Sequence, residues 1–514
     1  MSDKKKILVW LENYSIHFGI AKAIQDKYDC DLFAVISCSP NQKSFFESQK
    51  LINFKKKWFT RDHVNLKKPR PNLENLELLE KSLDIKLSKI IYGDRLFYKF
   101  NKYYKFSDEE IYSIIEQELD FYSRVIDEIS PDYVVLRAPE FQDIELFYEV
   151  CKAKKIPMLI LSSMKFGTRW IISSEPYPPI KFNFSEEQIP IKSFKELRKD
   201  VQKYFKVYNS IFSPKGKIQS KKLQRLKAGK LLFSTFNSSN INSYHDIGKT
   251  PWSIFYNVIR TSVQREYRKK FLDKNTRKSI STSRSYGYFP LHVEPDVAIL
   301  RIGDYYSDQI NVIKNIAQSL PVGMKLFVKE HPSMWLVGWR NSKYYKKIIE
   351  LPNVELIHHS ITSESMIQNS SFVITISGTS ALEAIFYEKP VIVFSDINCS
   401  TLSSVFKVEK FRELPNIIKK CLKTKIDLVE LNHYFNQIEK STFICNVEDL
   451  NVVSSNLFGM GGLLNMNPIS ETQMELFLEE RKNEFNILAE EHIKKINYEK
   501  NKHNSMENNE TYDN

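Results

Sequence analysis

Between residues 372 and 394 the chain runs through an apolar strand, a turn of small residues, a helix and a second apolar strand. The pieces are Phe372 to Ile376, Ser377-Gly378-Thr379-Ser380, Ala381 to Glu388, Lys389-Pro390 and Val391-Ile392-Val393-Phe394. This is a βαβ unit, and it restricts the surrounding chain to a parallel α/β arrangement. Its turn brings backbone N–H groups and the positive end of a helix dipole to one place, where a phosphate can be held. A second segment, Lys329-Glu330-His331-Pro332, closes the mostly apolar run Met324 to Val328. It sets an imidazole and a proline-stiffened turn at another expected strand end. Ligands of open α/β sheets gather at the carboxyl ends of strands. The two segments together predict a nucleotide site.

The same alternation extends along most of the chain. Ile7 to Leu11 reads as a first strand, followed by a helix from His17 to Tyr28 and a strand from Asp31 to Ser37. Glu109 to Ile129 has a helical apolar period through Ile111, Ile114, Ile115, Leu119, Tyr122, Val125 and Ile129. Tyr133 to Leu136, Ile144 to Lys154 and Met158 to Leu161 give strand, helix and strand. Alternation resumes at Tyr286 to Leu291 and continues through Ser307 to Ser319, Lys325 to Val328, Tyr344 to Leu351 and Val354 to Ile357. The expected fold class is therefore α/β, with two Rossmann-like doubly wound domains. The N-terminal one covers residues 1–175 and the C-terminal, nucleotide-binding one residues 286–425. A basic helical insertion over 176–285 separates them. A C-terminal helical extension spans 426–500, including a helix from Glu471 to Ile496, and a polar tail over 501–514 is expected to lack order.

At 514 residues with 42% apolar side chains, the chain has enough material for more than one core. Its formal charge of +13 favours anionic partners. The excess concentrates in the middle, around Lys215 to Lys230 and again from Arg260 to Lys278. The cysteines Cys30, Cys38, Cys151, Cys399, Cys421 and Cys445 form no Cys-x-x-Cys pair and no zinc-type spacing with histidine. They read as reduced thiols of a cytoplasmic protein. No apolar run reaches bilayer length, and the short stretch Ile7 to Leu11 is not a signal peptide. Membrane contact, where it occurs, is expected to be peripheral, at the inner face.

Two Rossmann-like domains with a nucleotide site in the second describe a GT-B-like architecture. Phe289-Pro290-Leu291-His292, Pro295-Asp296, Asp308-Gln309, Leu320-Pro321, Lys329-Glu330-His331-Pro332, Ser377-Gly378-Thr379, Glu383-Ala384 and Lys389-Pro390 carry a more specific likeness. This stretch, residues 286 to 400, resembles the capsule polysaccharide synthesis family of bacterial glycosyltransferases. The resemblance implies transfer of a sugar from a nucleotide-activated donor, of cytidine type in related enzymes. The implied acceptor is a surface polysaccharide or its lipid-linked precursor. It also implies that the His-Pro pair and the downstream Ser/Thr turn contact the donor phosphate.

His331 is the leading donor-side candidate, with Pro332 stiffening its turn; an imidazole at a strand end can donate to a phosphate oxygen. Ser377, Gly378, Thr379 and Ser380 offer hydroxyls and N–H groups. Ser380-x-x-Glu383 also reads as a capping box, which needs no ligand. Glu383 is a candidate for a ribose hydroxyl. Lys329 and Arg340 are candidates for phosphate charge, and His292 and Glu294 lie at the presumed cleft. An acceptor-side base is sought in the N-terminal domain, where Glu140, Glu12 and His17 stand near strand ends. No Asp-x-Asp motif is evident, so neither a metal nor another cofactor is expected. A nucleotide-sugar epimerase of the same fold is the nearest alternative, though no richer acid/base set around the donor is visible. A non-catalytic anion or nucleic-acid binder would leave the paired nucleotide features unexplained, so nucleic acid is not an expected partner.

Overall fold

The computed structural model describes residues 4–12, 15–67, 70–166, 168–178, 189–199, 202, 244–280, 284–335, 338–458 and 468–510. The first basic cluster, Lys215 to Lys230, lies outside them. Two sheets organise the described residues. The first contains β1 (Lys5–Glu12), β2 (Cys30–Ser37), β3 (Phe54–Phe59), β4 (Tyr133–Arg137), β5 (Met158–Ser163) and β6 (Arg169–Ser173). The second contains β7 (Tyr286–Pro290), β8 (Lys325–Lys329), β9 (Val354–Ile357), β10 (Phe372–Thr375), β11 (Val391–Val393) and β12 (Val405–Lys407). A late strand, β13 (Phe443–Ile444), returns to the first sheet and pairs antiparallel with β6.

The strand orders are β13-β6-β5-β4-β1-β2-β3 and β12-β11-β10-β7-β8-β9. In each sheet the first strand sits centrally, with parallel neighbours on both sides: β1 between β2 and β4, β7 between β8 and β10. A strand covered on both faces needs a continuous apolar run rather than an alternating one. Ile7 to Leu11 supplies it, and all five residues are buried. The strand order reverses beside β1 and again beside β7, so each sheet opens a crevice at the carboxyl end of its own switch point.

The helices that position these crevices are α1 (Ile16–Lys27), α2 (Asp108–Ile129), α3 (Gln142–Ala153), α4 (Pro251–Asn275), α5 (Gln309–Ser319), α6 (Ser380–Phe386), α7 (Leu428–Ser441) and α8 (Lys482–Glu510). α2 starts at a capping box between Ser107 and Glu110 and ends at Ser130 in left-handed conformation. Three acidic residues in its first turn complement the helix dipole.

The C-terminal extension does not form a separate unit. α7 packs Leu431, Tyr434 and Phe435 into the second domain's core, and α8 then crosses to the first domain and lies along α1. That contact is tight enough to require a glycine: a Cβ on Gly19 would fall 2.2 Å from the Phe485 ring. The single helix expected over Glu471 to Ile496 is two helices, broken at Arg481, whose backbone leaves helical geometry. The second of them, α8, runs on to Glu510, into the stretch expected to lack order. No described helix is long and apolar enough to cross a membrane.

Candidate functional site

The second crevice is built from the ends of β7, β8 and β10. β8 ends at Lys329, so His331 and Pro332 follow two and three residues on. His331 Nδ1 accepts the Ser333 N–H at 3.1 Å. The neutral ring therefore carries its proton on Nε2, the arrangement that can donate to an anion. Burial, then Lys329 and Arg340, push the His331 pKa down to about 4. At neutral pH it is a hydrogen-bond donor without a charge. Lys329 is buried beneath it, with Nζ 3.4 Å from Ser363 Oγ. Burial lowers its pKa to about 8, against the pull of Glu330 and Glu383. Glu383, on α6, moves the opposite way: burial raises it to about 8, opposed by Lys329. The two face one another without a direct ion pair, both poised near neutrality.

The turn between β10 and α6 differs from expectation. Two of its N–H groups are already used within the protein. Ser377 N–H donates to His292 Nε2 at 3.2 Å, and Gly378 N–H to Thr375 Oγ1, also at 3.2 Å. Ser377 Oγ donates to the Ala298 carbonyl at 2.5 Å. A Cβ at Gly378 would stand 2.8 Å from Thr375 Oγ1 and 3.2 Å from His292 Nε2, so glycine is required by packing. Thr379 and Ser380 remain at the helix mouth. Ser380 is the first residue of α6 and not its cap; the capping box with Glu383 does not form, and Thr379, at the cap position, makes no side-chain cap bond. Ser380 Oγ is buried without a partner.

His292 lies behind the turn. Burial, then His331 and Arg340, lower its pKa to about 3, so it stays neutral and accepts the Ser377 N–H. It supports the turn from below. Arg340 is likewise committed. Its guanidinium pairs with Glu330, donates to the His292 carbonyl, and lies 3.6 Å from Glu294. Tyr345 OH donates to the other Glu330 oxygen at 2.7 Å, and Gln309 Nε2 donates to Glu294 at 2.6 Å. Arg340 was expected over the phosphate. A fully desolvated cation is stable only with its carboxylates in place, and those carboxylates hold it in the wall.

The first crevice is acidic. Glu12 ends β1 and takes hydrogen bonds from Trp10 Nε1 at 3.0 Å and Arg137 Nε at 2.9 Å. Burial raises its pKa, with Arg137 opposing. Arg137, at the end of β4, also reaches Glu140 at 3.5 Å. Glu140 keeps 44% of its side chain exposed, so it is the carboxylate of this group open to a ligand. His17 is buried in the first turn of α1 near His492 of α8, and burial lowers its pKa to about 3. It lies between the C-terminal helix and the end of β4, where Arg137 also acts on it.

Two further carboxylates of this crevice escaped the sequence reading. Asp143 accepts from Ser37 Oγ at 2.9 Å. Glu118, on α2, accepts from Tyr244 OH at 2.6 Å and from Gln142; burial, then Asp143, raise its pKa to about 8. Glu118 had a signal: Ile111, Ile115, Glu118, Tyr122 and Val125 follow one helical stripe, so a carboxylate interrupts the buried face. Ion pairs join the two crevices. Arg301, after β7, pairs with Glu145 of α3, Lys89 lies 2.8 Å from Asp304, and Lys99 lies 3.7 Å from Glu294.

The donor-side residues fall in one continuous stretch, and a family model matches it. Residues 214–397 match the model of a family described as "Capsule polysaccharide biosynthesis protein". No curated protein matches the chain. Among solved structures it is similar to Thermosulfurimonas dismutans KpsC, a β Kdo 2,4 transferase, at 12% identity and TM-score 0.30, covering 59% of this chain and 79% of that one. The UDP-GlcNAc 2-epimerase of Methanocaldococcus jannaschii aligns at 14% identity and TM-score 0.24, covering 82% and 94%. Values this low leave the fold to be read from the sheet topology itself. The capsule-family region spans β7 to β11 and so contains the whole second crevice, from His292 to Glu383.

Proposed function

We propose that this protein is a GT-B-type glycosyltransferase that moves a sugar from a nucleotide-activated donor, of cytidine type, to a capsular or surface polysaccharide or its lipid-linked precursor. One observation carries the reading. Within the matched residues, Lys329 and His331, with its Nε2 proton, stand at the end of β8, and Thr379, Ser380 and Glu383 follow β10, the two strands that flank β7.

In this reading the donor phosphate sits at the mouth of α6, where helix N–H groups favour an anion. Glu140 takes the proton of the acceptor hydroxyl, whose oxygen then attacks the anomeric carbon. The bond from that carbon to the phosphate oxygen breaks, and the phosphate leaves with the electron pair. His331 Nε2–H and the Lys329 ammonium meet the charge that develops there. Glu12 holds Arg137 beside Glu140, and His292 and Arg340 keep the turn and the crevice wall in place. The charge is met by side chains, so no metal is assigned to the chemical step.

The membrane reading rests on α4. Trp252 is 74% exposed, and Tyr256, Ile259, Val263 and Tyr267 continue the same exposed face over four turns. Among the described residues these aromatics do not pack between the domains. Among the nearby cations, Arg268 donates to the Gly338 and Trp339 carbonyls and Lys269 pairs with Asp273, which leaves Arg260 and Lys270 as better candidates for lipid phosphate. Binding to anionic vesicles that weakens with salt and with Trp252→Ser is expected; indifference to such vesicles at low salt contradicts the membrane part alone.

A panel of nucleotides and nucleotide sugars, read by thermal shift, tests the function. A true ligand at a hundredfold excess over its dissociation constant stabilises by about 2.7 kcal/mol. Stabilisation by cytidine nucleotides supports the reading. Stabilisation by UDP-sugars, with interconversion of the sugar and no transfer, moves the assignment to the epimerase alternative.

A further inference from the structure

At the outer edge of the second sheet, beside the crevice and one residue past the partner of Lys329, β9 runs into His358 and His359, and the last turn of α4 brings Asp273 against them. Asp273, His358 and His359 each present a ligand-type atom, and these atoms lie within 4.8 Å of one another. His358 Nε2 and Asp273 Oδ1 are 2.9 Å apart. That separation suits two ligands on one ion at bond lengths of about 2.0–2.2 Å. His359 Nδ1 is buried without a partner. Trp339 covers the His359 ring at 5.1 Å between centroids.

We infer that Asp273, His358 and His359 form a binding site for a late first-row divalent cation such as Zn²⁺. Two imidazoles and one carboxylate suit such an ion better than Mg²⁺ or Ca²⁺, which favour oxygen ligands. The surroundings include a built-in partner for the second ring nitrogen. His358 Nδ1 lies 2.6 Å from Ser360 Oγ. Nδ1 also accepts the Ser360 N–H at 3.2 Å, so when the ion takes Nε2 and the ring proton moves to Nδ1, that bond is given up and Ser360 Oγ accepts the proton instead. Outer partners of this kind orient a ligating imidazole. One group opposes the ion: Lys269 Nζ sits 2.6 Å from Asp273 Oδ2. The ion would tie the end of α4 to β9 and, through His359 and Trp339, fix the loop leading into Arg340. It takes no part in the transfer chemistry and does not rest on that reading.

The test is a Zn²⁺ titration of the full chain, stripped with a chelator and dialysed, in competition with a chromophoric chelator. Wild type is expected to take up one equivalent. Asp273→Asn and His359→Ala should each weaken uptake at least tenfold. Ser360→Ala should weaken it by about tenfold, as outer-partner losses do. Lys269→Ala should tighten it, a gain no misfolded variant would give. His331→Ala should bind as wild type does. No uptake by the wild type, or equal uptake by wild type, Asp273→Asn and His359→Ala, overturns the assignment.

Discussion

The two crevices share a plan and differ in charge. Each forms where a central first strand, β1 or β7, meets the reversal of its sheet. At the first, Glu12 and Glu140 hold Arg137, and Asp143 acts on Glu12. At the second, His331, Lys329 and a helix mouth gather, while the nearby acids Glu330 and Glu294 are consumed by Arg340. One topology thus supplies two walls of opposite character. The basic wall suits a leaving phosphate, and the acidic wall suits removal of a hydroxyl proton. The fold alone makes neither choice. The difference lies in which side chains were neutralised internally and which were left open.

The contrast can be broken most severely at Arg340. Arg340→Ala leaves the buried Glu330 without its cation and Glu294 with the more distant Lys99. Removing one partner of a buried pair costs about 3–5 kcal/mol, so thermal unfolding should fall by many degrees. A stable variant with weakened donor binding would instead return Arg340 to the phosphate.

A smaller effect is expected from pH. Glu383 is held up at about 8 and Lys329 down at about 8, so below that pH the acid is neutral and the amine charged. Both forms favour an anionic donor, and both are lost as pH rises past 8. Where binding needs a protonated group, affinity falls about tenfold per pH unit above its pKa. Donor affinity should therefore fall from pH 8 to 9.5. It should stay level between pH 5 and 7, because His331 titrates near 4. Calorimetry across that range checks both limbs.

The smallest effect separates two neighbours. Ser380 Oγ has no partner to lose, so Ser380→Ala should leave stability within about 0.5 kcal/mol of wild type, the usual range for changes that remove no bond. Thr379→Ala should weaken donor binding at unchanged stability. A loss near 1 kcal/mol for Ser380→Ala, the size of a missing cap, would restore the capping box.

The strands lining both crevices were legible because their apolar runs are continuous and end at Pro, Gly or a charge. β7 to β11 lie within a residue or two of where the sequence places them. β3 was not legible. It reads Phe-Lys-Lys-Lys-Trp-Phe, and three lysines break the apolar pattern. It is an edge strand, where lysine discourages further pairing. In the site, local motifs told where residues stand and not what they bind. The Ser-x-x-Glu pattern predicted a cap, but Thr379 entered helical geometry one residue early. Arg340 looked like a phosphate ligand until long-range partners, Glu330 and the His292 loop, claimed it. Such partners are set by tertiary packing, which no spacing in the sequence encodes.

The division between the two walls can be measured directly. Binding of a donor nucleotide should be followed by calorimetry for wild type, His331→Ala and Glu140→Gln. His331→Ala is expected to lose at least tenfold in affinity while melting as wild type does. Glu140→Gln is expected to bind the nucleotide unchanged, although its turnover falls by about 10²–10⁴, the contribution of a general base. Loss of nucleotide binding in Glu140→Gln, with binding retained in His331→Ala, would place the donor at the first crevice and contradict the account.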